Sequence, residues 1–380
     1  MKDKKSMVIY PSFRDLTYIK THRNVLSYFL SIYLSKYFKI IQSYSMQEAK
    51  DDLIKSDKDF FNSKIFKSFS TIEKTICYSG EAGIDYFLLT AQSGIRKVSE
   101  NAFKIIKKRY PKMKLCSPHD HWGSKSYKED FLFIARELPN EQTKNKLISS
   151  SYNSKIKPIY TGWCADHKIL KREENKNIGI VLDHAALQDF RKDLTDKYLK
   201  YIKIAKKANP NIQLCRIKGG FEFYDFSKNI WTRDEGLRWW KEDLPEEKTI
   251  KNGEGATIFQ IAKCLNNSRF FCITHVESCG LTAIEALMAG CKIYIPRGKD
   301  KYISWAKGGQ KISDYNGAFI KQDLLKNYMD YRIFNEDADI STLLTKDIKS
   351  ASIPHKRREL IKYNSWAAAA RRIYDGLENE

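Results

Sequence analysis

The chain has 380 residues, 42% of them hydrophobic and 30% charged, a balance that suits a globular protein and argues against wholesale disorder. That length exceeds one ordinary core and favours two domains of roughly 150 to 200 residues. The formal net charge is +21, from 67 Lys and Arg against 46 Asp and Glu; it fits phosphate-bearing partners (nucleotides, nucleic acid, an anionic membrane surface), and equally a lysine-rich surface with no such partner.

The N-terminal "MKDKKSMVIYPSF" is basic, but its apolar part is short and ends at Pro11, so no signal peptide is expected. "MVIYP" is a short β-rich run. After the loop "SFRD", residues 24–42 are expected to form an amphipathic helix, too often interrupted by serines and Lys36 to cross a membrane. "KTICYSG" is expected as a second strand before a glycine-containing turn, "SENAFKIIKKRYP" as a helix, and "MKLCSP" as a strand ending in "HDHW". "DFLFIARE" and "KIKPIYTGW" close this half.

The second half restarts the pattern after the polar "KREENKN". "IGIVLDH" is a buried-strand signal, and "LTDKYLKYIKIAKKANP" is an amphipathic helix stopped at Asn209-Pro210. "IQLCRIKGG" is a strand, "GATIFQIAKCLNNS" a helix, "RFFCITH" a strand, "LTAIEALMAG" a helix closed by Gly290, and "CKIYIP" a strand. Strands alternating with helices imply parallel βαβ units. The expectation is two doubly wound α/β domains, joined near residues 165–177 and facing a cleft, with ligands held by the loops at the strand carboxyl ends. Eight cysteines stand singly at 77, 116, 164, 215, 264, 272, 279 and 291, without a CxxC pair. They read as small core residues in a reducing, cytoplasmic compartment, and no metal site is expected.

The segment "VESCGLTAIEALMAG" carries the chemistry. Gly280 permits close backbone approach where the helix starts, and free N–H groups at a helix start bind anions such as a diphosphate. Glu285 falls one helical turn beyond Leu281, and Glu277 stands in the preceding loop, able to accept hydrogen bonds from hydroxyls. A carboxylate for each of two polyhydroxyl rings, with a diphosphate between, describes a nucleotide sugar.

Glu277-Ser-Cys-Gly-Leu-Thr-Ala-Ile-Glu285 followed by "ALMAG" resembles the E-x7-E signature of retaining glycosyltransferases with the GT-B fold, the superfamily of glycogen synthase and sucrose synthase. Cys279 stands where that family usually carries an aromatic. "IYTGWCADHKILKR" resembles its interdomain passage, with Gly162 and Asp166 at matching places, and "YNSWAAAARRIYDGL" its C-terminal helix, which crosses back to the first domain. The resemblance implies residues 1–165 as a Rossmann-like acceptor domain, 166–360 as a Rossmann-like nucleotide-sugar domain and 361–380 as the crossing helix. It implies that Glu277 contacts the donor sugar, that the backbone of Ser278, Cys279, Gly280, Leu281 and Thr282 meets the phosphates, and that Glu285 meets the ribose. Arg191 and Lys192, after the first strand of the second domain, are the candidates for neutralising the diphosphate.

On the acceptor side, "SPHDHWGS" sets His119, Asp120 and His121 directly after a strand. His119 and Asp120 could hold the acceptor hydroxyl or support the sugar's developing positive charge, or the three could simply bond backbone groups of a turn. His121 and Arg14 are candidate acceptor contacts; His184, Gly80 and Gly83 lie in other strand-end loops. The implied reaction moves a sugar from a nucleotide-diphosphate sugar to a hydroxyl, metal-independent and without a further cofactor. The acceptor could be a surface glycan, a lipid-linked saccharide reached at an anionic membrane, or hydroxymethylated DNA as in phage-type enzymes of this fold. A non-catalytic nucleotide- or glycan-binding protein is the alternative from another class. The aromatic-rich "GGFEFYDFSKNIWTRDEGLRWWKED" could stack sugars or bases, or be a packed insertion.

Overall fold

The computed structural model describes residues 4–10, 29–45, 66–69, 72–89, 96–119, 129–134, 157–161, 164–172, 176, 178–183, 192–217, 221–233, 258–273, 281–297, 331–335, 339–350 and 357–379. The chain divides into two compact units: Met1–Gly162 with Trp366–Glu380, and Trp163–Ser365.

The first unit contains β1 (Ser6–Tyr10), β2 (Lys39–Ser45), β3 (Phe66–Phe69), α1 (Ile72–Glu81), β4 (Tyr86–Leu89), α2 (Arg96–Arg109), β5 (Lys114–His119), β6 (Phe131–Ile134) and β7 (Lys157–Tyr160). Its seven strands lie in the order β3-β2-β1-β4-β5-β6-β7, all parallel. The chain walks outward from β1 through β2 to β3, then returns to β4 on the other side of β1 and walks outward again. Strands covered on both faces need continuous apolar runs, and Met7, Val8, Ile9, Phe87 and Leu88 are all fully buried. Val8, Phe87 and Leu115 pack on one face with Ile76 of α1 and Ile106 of α2.

The second unit contains β8 (Gly179–Asp183), α3 (Lys192–Ala208), β9 (Gln213–Ile217), β10 (Phe221–Asp225), β11 (Ile230–Arg233), α4 (Ile258–Asn267), β12 (Ser268–Ile273), α5 (Leu281–Met288), β13 (Lys292–Arg297), β14 (Tyr331–Asn335), α6 (Ser341–Lys349) and α7 (Arg357–Asn364). Its strand order is β11-β10-β9-β8-β12-β13-β14, parallel from β9 to β14, with β10 antiparallel to both β9 and β11. The chain then re-enters the first unit as α8 (Trp366–Glu378). There Trp366 stacks on Phe29 at 5.7 Å, Tyr374 on Tyr37 at 4.8 Å, and the Tyr86 hydroxyl donates to the Leu377 carbonyl at 3.3 Å. Glu378 pairs with Lys5 at 3.0 Å, a contact that raises the lysine's pKa.

Two expectations from sequence are corrected. Of the helix expected over 24–42, only 29–34 is helical among the described residues, and Lys39–Ser45 is strand β2. Ile40 and Ile41 are β-branched and pair with Met7 and Val8 of β1, so sheet pairing prevails over the helical pattern. "KTICYSG" is not a strand but the body of α1, with Thr75, Ile76 and Ser79 buried on one helical face. The strand comes after it, at Tyr86–Leu89. Gly83 (φ +67°) ends α1 in a double cap: its N–H donates to the Gly80 carbonyl at 3.1 Å, and the Ile84 N–H to the Ser79 carbonyl at 2.9 Å. A short apolar run of this length fits either element, and the turn chemistry decides.

The aromatic-rich stretch forms, over residues 221–233, the β10-β11 hairpin at the sheet edge. Tyr224 meets Phe226 and Trp231 at 5.1 Å each, and Phe226 and Trp231 pack against the core beneath α3. The Arg216 guanidinium lies 4.2 Å over the Trp231 ring and pairs with Glu222. These aromatic side chains are spent on packing and on cations of this same unit. Cys116, Cys164, Cys215, Cys264, Cys272 and Cys291 are buried free thiols; burial raises the pKa of Cys215, Cys272 and Cys291, which keeps them protonated.

Candidate functional site

In the second unit β8 and β12 are neighbours, yet the chain leaves them in opposite directions: β8 leads through α3 to β9, and β12 through α5 to β13. Such a reversal opens a crevice beyond the carboxyl ends of the two strands, because the helices leave to opposite faces of the sheet. Asp183 and Ile273, the last residues of β8 and β12, are register partners. The chain therefore leaves the sheet at two neighbouring points, into the segments 184–191 and 274–280. They contain His184 and Arg191, and Glu277, Ser278, Cys279 and Gly280, all of which lie outside the described residues. Lys192 opens α3, and Leu281 opens α5.

Apart from Thr282 and Glu285 the helix α5 is apolar, and from Ala283 to Ala289 every residue is buried. Such a helix belongs inside a packed layer. Glu285 is the one ionisable residue on it, 4% exposed. A carboxylate buried on such a helix needs a polar partner, since desolvation opposes its charge. Thr282, in the first turn, is half-buried.

The far end of α5 is fastened. Gly290 has φ +81°, its N–H donates to the Leu287 carbonyl at 2.9 Å, and the Cys291 N–H donates to the Ala286 carbonyl at 2.8 Å. This double cap needs a left-handed residue, which is why glycine stands there. Lys176 then donates to three carbonyls: Ala289 at 2.6 Å, Ser268 at 2.9 Å and Leu265 at 3.3 Å. One cation thus closes the C-terminal ends of α4 and α5, where the helix dipoles are negative. The start of α5 is held at the crevice by this anchorage at its other end.

The passage 164–172 is fixed from several sides. Asp166 is buried and accepts from the N–H groups of Lys168 (2.7 Å) and Ile169 (3.1 Å), closing a local turn. Asn266 donates to the Ile169 carbonyl and accepts from the Lys171 N–H. Arg357 of α7 donates to the carbonyls of His167 (2.7 Å) and Leu170 (2.8 Å). Burial lowers the His167 pKa, so the ring is neutral at pH 7. Gly162 lies outside the described residues.

In the first unit the same reversal falls between β1 and β4, whose last residues Tyr10 and Leu89 are partners. The segment with Arg14 follows β1. His119 is the last residue of β5, one strand further along, where it pairs with Ile134. Arg14, Asp120 and His121 lie outside the described residues. Among the described residues no group of His, Cys, Asp and Glu could hold a metal ion, and no helix is long and apolar enough to cross a membrane.

No protein-family model matches the chain, and no curated relative does. Solved structures do. The chain is similar to a sucrose-phosphate synthase from Thermosynechococcus elongatus, at 12% identity over 99% of each chain with a TM-score of 0.54. It is similar to a UDP-N-acetylglucosamine 2-epimerase, at 12% identity over 100% of this chain and 96% of that one, TM-score 0.53. The UDP-GlcNAc 2-epimerase from Neisseria meningitidis bound to UDP-GlcNAc is 12% identical over 100% of both chains, TM-score 0.50. The likeness is one of fold: two Rossmann-like, parallel-dominated units of the GT-B class, spanning the whole chain.

Proposed function

We propose that the protein processes nucleotide sugars, transferring a glycosyl group from a nucleotide-diphosphate sugar to an acceptor hydroxyl with retention at the anomeric carbon. The carrying observation is positional: the segment between Glu277 and Glu285 links β12 to α5 at the strand-order reversal, with Glu285 buried on an otherwise apolar helix. The fold shared with a sucrose-phosphate synthase supports the same reading.

In this reaction the bond between the anomeric carbon and the diphosphate oxygen breaks, and a bond to the acceptor oxygen forms on the same face. Negative charge grows on the leaving diphosphate. The N–H groups at the start of α5 and the cations Arg191 and Lys192 are suited to receive it, since fixed dipoles and charges need no reorganisation as the bond breaks. Glu285 is assigned to the ribose hydroxyls and Glu277 to the sugar. His119 and Asp120 are assigned to the acceptor hydroxyl and its proton, with His121 and Arg14 as further acceptor contacts. Surface glycans or lipid-linked saccharides are the proposed acceptors, made from donors in the cytoplasm at a peripheral membrane position.

A second reading has support of its own: two of the three structures described above are UDP-GlcNAc 2-epimerases. On that reading the donor is turned over at C2 with no acceptor present. Proton NMR of the protein with a panel of UDP-, GDP- and ADP-sugars separates the two. Acceptor-dependent release of nucleoside diphosphate with a retained anomeric configuration supports transfer. Conversion of UDP-GlcNAc to its C2 epimer without acceptor establishes epimerisation instead, and binding without any turnover rejects both.

A further inference from the structure

We propose that the outer face of α3 and α6 docks on an anionic phospholipid surface. The two helices cover the same side of the second sheet: Tyr198 and Ile202 of α3 share one core cluster with Leu344 and Ile348 of α6. The two helices pack directly against each other, and Asp339, just before α6, lies within electrostatic reach of Lys197 and Lys200. One turn further along each helix stand Ile204 and Leu343, 43% and 39% exposed. They are two of the four large hydrophobic residues exposed among the described residues. Around them Lys200 and Lys207 of α3 and Lys346 and Lys349 of α6 are exposed, offset by the exposed Asp196 and Asp339.

The chemistry of this face selects its partner. Among the described residues of the two helices every exposed cation is lysine, a point charge on a long aliphatic stem, and none is arginine, whose planar fork suits phosphodiester and base recognition. The apolar members are aliphatic rather than aromatic, so they offer nothing for bases to stack on. Lysines that reach to headgroups while aliphatic side chains enter the acyl boundary are what an interfacial helix layer needs. The inference does not depend on the transfer reaction and is tested without any substrate.

The test is flotation of the full chain with vesicles of phosphatidylcholine alone or doped with phosphatidylglycerol, at low and moderate salt. Binding is expected only to the anionic vesicles. The variant K200E/K207E/K346E is expected to weaken it by roughly 30-fold or more, since each lysine near such a surface contributes a several-fold gain. The variant I204S/L343S is expected to weaken it roughly tenfold and to leave a residue of binding that salt removes. The control K104E/K108E/K112E reverses the same number of exposed charges on and beside α2, and is expected to bind nearly as wild type. The proposal is overturned if the α2 control loses as much binding as the α3 and α6 variant, or if I204S/L343S is unaffected. It is equally overturned if anionic vesicles are not bound, or if duplex DNA competes the protein off them. Thermal melts of each variant identify any loss that comes from unfolding, and the surface substitutions are exposed enough that melts within a few degrees of wild type are expected.

Discussion

Lys292 of β13 and Asp347 of α6 face each other at 3.1 Å inside the second unit, their side chains 5% and 3% exposed. Asp347 also accepts from the Tyr294 hydroxyl at 2.6 Å and from Arg332 at 3.0 and 3.1 Å, so one carboxylate ties β13, β14 and α6 together. Removing it takes a carboxylate away from a buried ammonium, the costly way to break a buried pair. Asp347→Ala is expected to destabilise the protein by about 3–5 kcal/mol, read from denaturant melts. A loss below about 1 kcal/mol would show that Lys292 finds water or another acceptor.

The same carboxylate gives a pH dependence. Burial pushes the Asp347 carboxyl up, while hydrogen bonds from Arg332, Tyr294 and Lys292 pull it down by more, so it sits below the usual carboxylate range. A group depressed on folding contributes stability that is fully present above its unfolded value, about 3.9 for Asp, and lost as pH falls through the folded value. Wild type is therefore expected to lose stability more steeply than Asp347→Asn on acidification below pH of about 4. Parallel melting curves of the two proteins in that range would contradict it.

The two double-capped helix ends separate backbone strain from crowding. At Gly83 an added Cβ meets nothing within 4 Å, whereas at Gly290 it comes within 2.9 Å of Arg172 Cγ. Gly83→Ala is expected to cost about 1 kcal/mol, the left-handed term alone. Gly290→Ala is expected to cost more, by the amount needed to shift the Arg172 stem, and in an Arg172→Ala background the added cost of Gly290→Ala is expected to fall, read from denaturant melts of the four proteins of the cycle.

Lys176→Met keeps the length of the stem and removes the donor from three carbonyls. Each stranded acceptor that water does not reach carries a desolvation cost of about 1–3 kcal/mol, so a loss of at least that size is expected. Hydrogen exchange should rise first at the ends of α4 and α5. Exchange rising uniformly across the unit would show that Lys176 is not the local fastener.

Glu285→Gln keeps shape and burial but removes the charge. Loss of a charge-assisted contact to a hydroxyl is expected to weaken nucleotide-sugar binding by roughly 10-fold or more, with the melting temperature little changed. Calorimetry with the donor that turns over reads this directly. Unchanged affinity together with a lowered melting temperature would reassign Glu285 to the interior of α5.

Sequence carried the elements from β8 to β9 and from α4 to β13 because their signals are local, whereas the β10-β11 hairpin, β14 and α6 were not read from it. The runs "IGIVLD", "RFFCI" and "KIYIP" are long enough in β-branched and aromatic residues to be strands, and Gly290 marks its own cap. The position of the Glu277-to-Glu285 segment after a strand and before a helix was readable for the same reason. What was not readable depends on distance. Lys292, Arg332 and Asp347 meet across 55 residues of sequence, and no periodicity announces a buried triad. Lys176 sits in "KREENKN", where polarity reads as loop, yet it donates to carbonyls at the ends of two helices. In the first unit Ile40 and Ile41 fit either period, and only the neighbouring β1 decides that they belong to a strand.

The placement of α8 has a consequence for synthesis. The first unit takes Trp366, Ile373 and Leu377 into its buried interior, although its strands are translated before any part of the second unit. The half of the protein that leaves the ribosome first is thus completed last, after the other half has been made. Until then the faces that receive Trp366, Tyr374 and Leu377, including Phe29, Tyr37 and Tyr86, remain open to water and to chaperones.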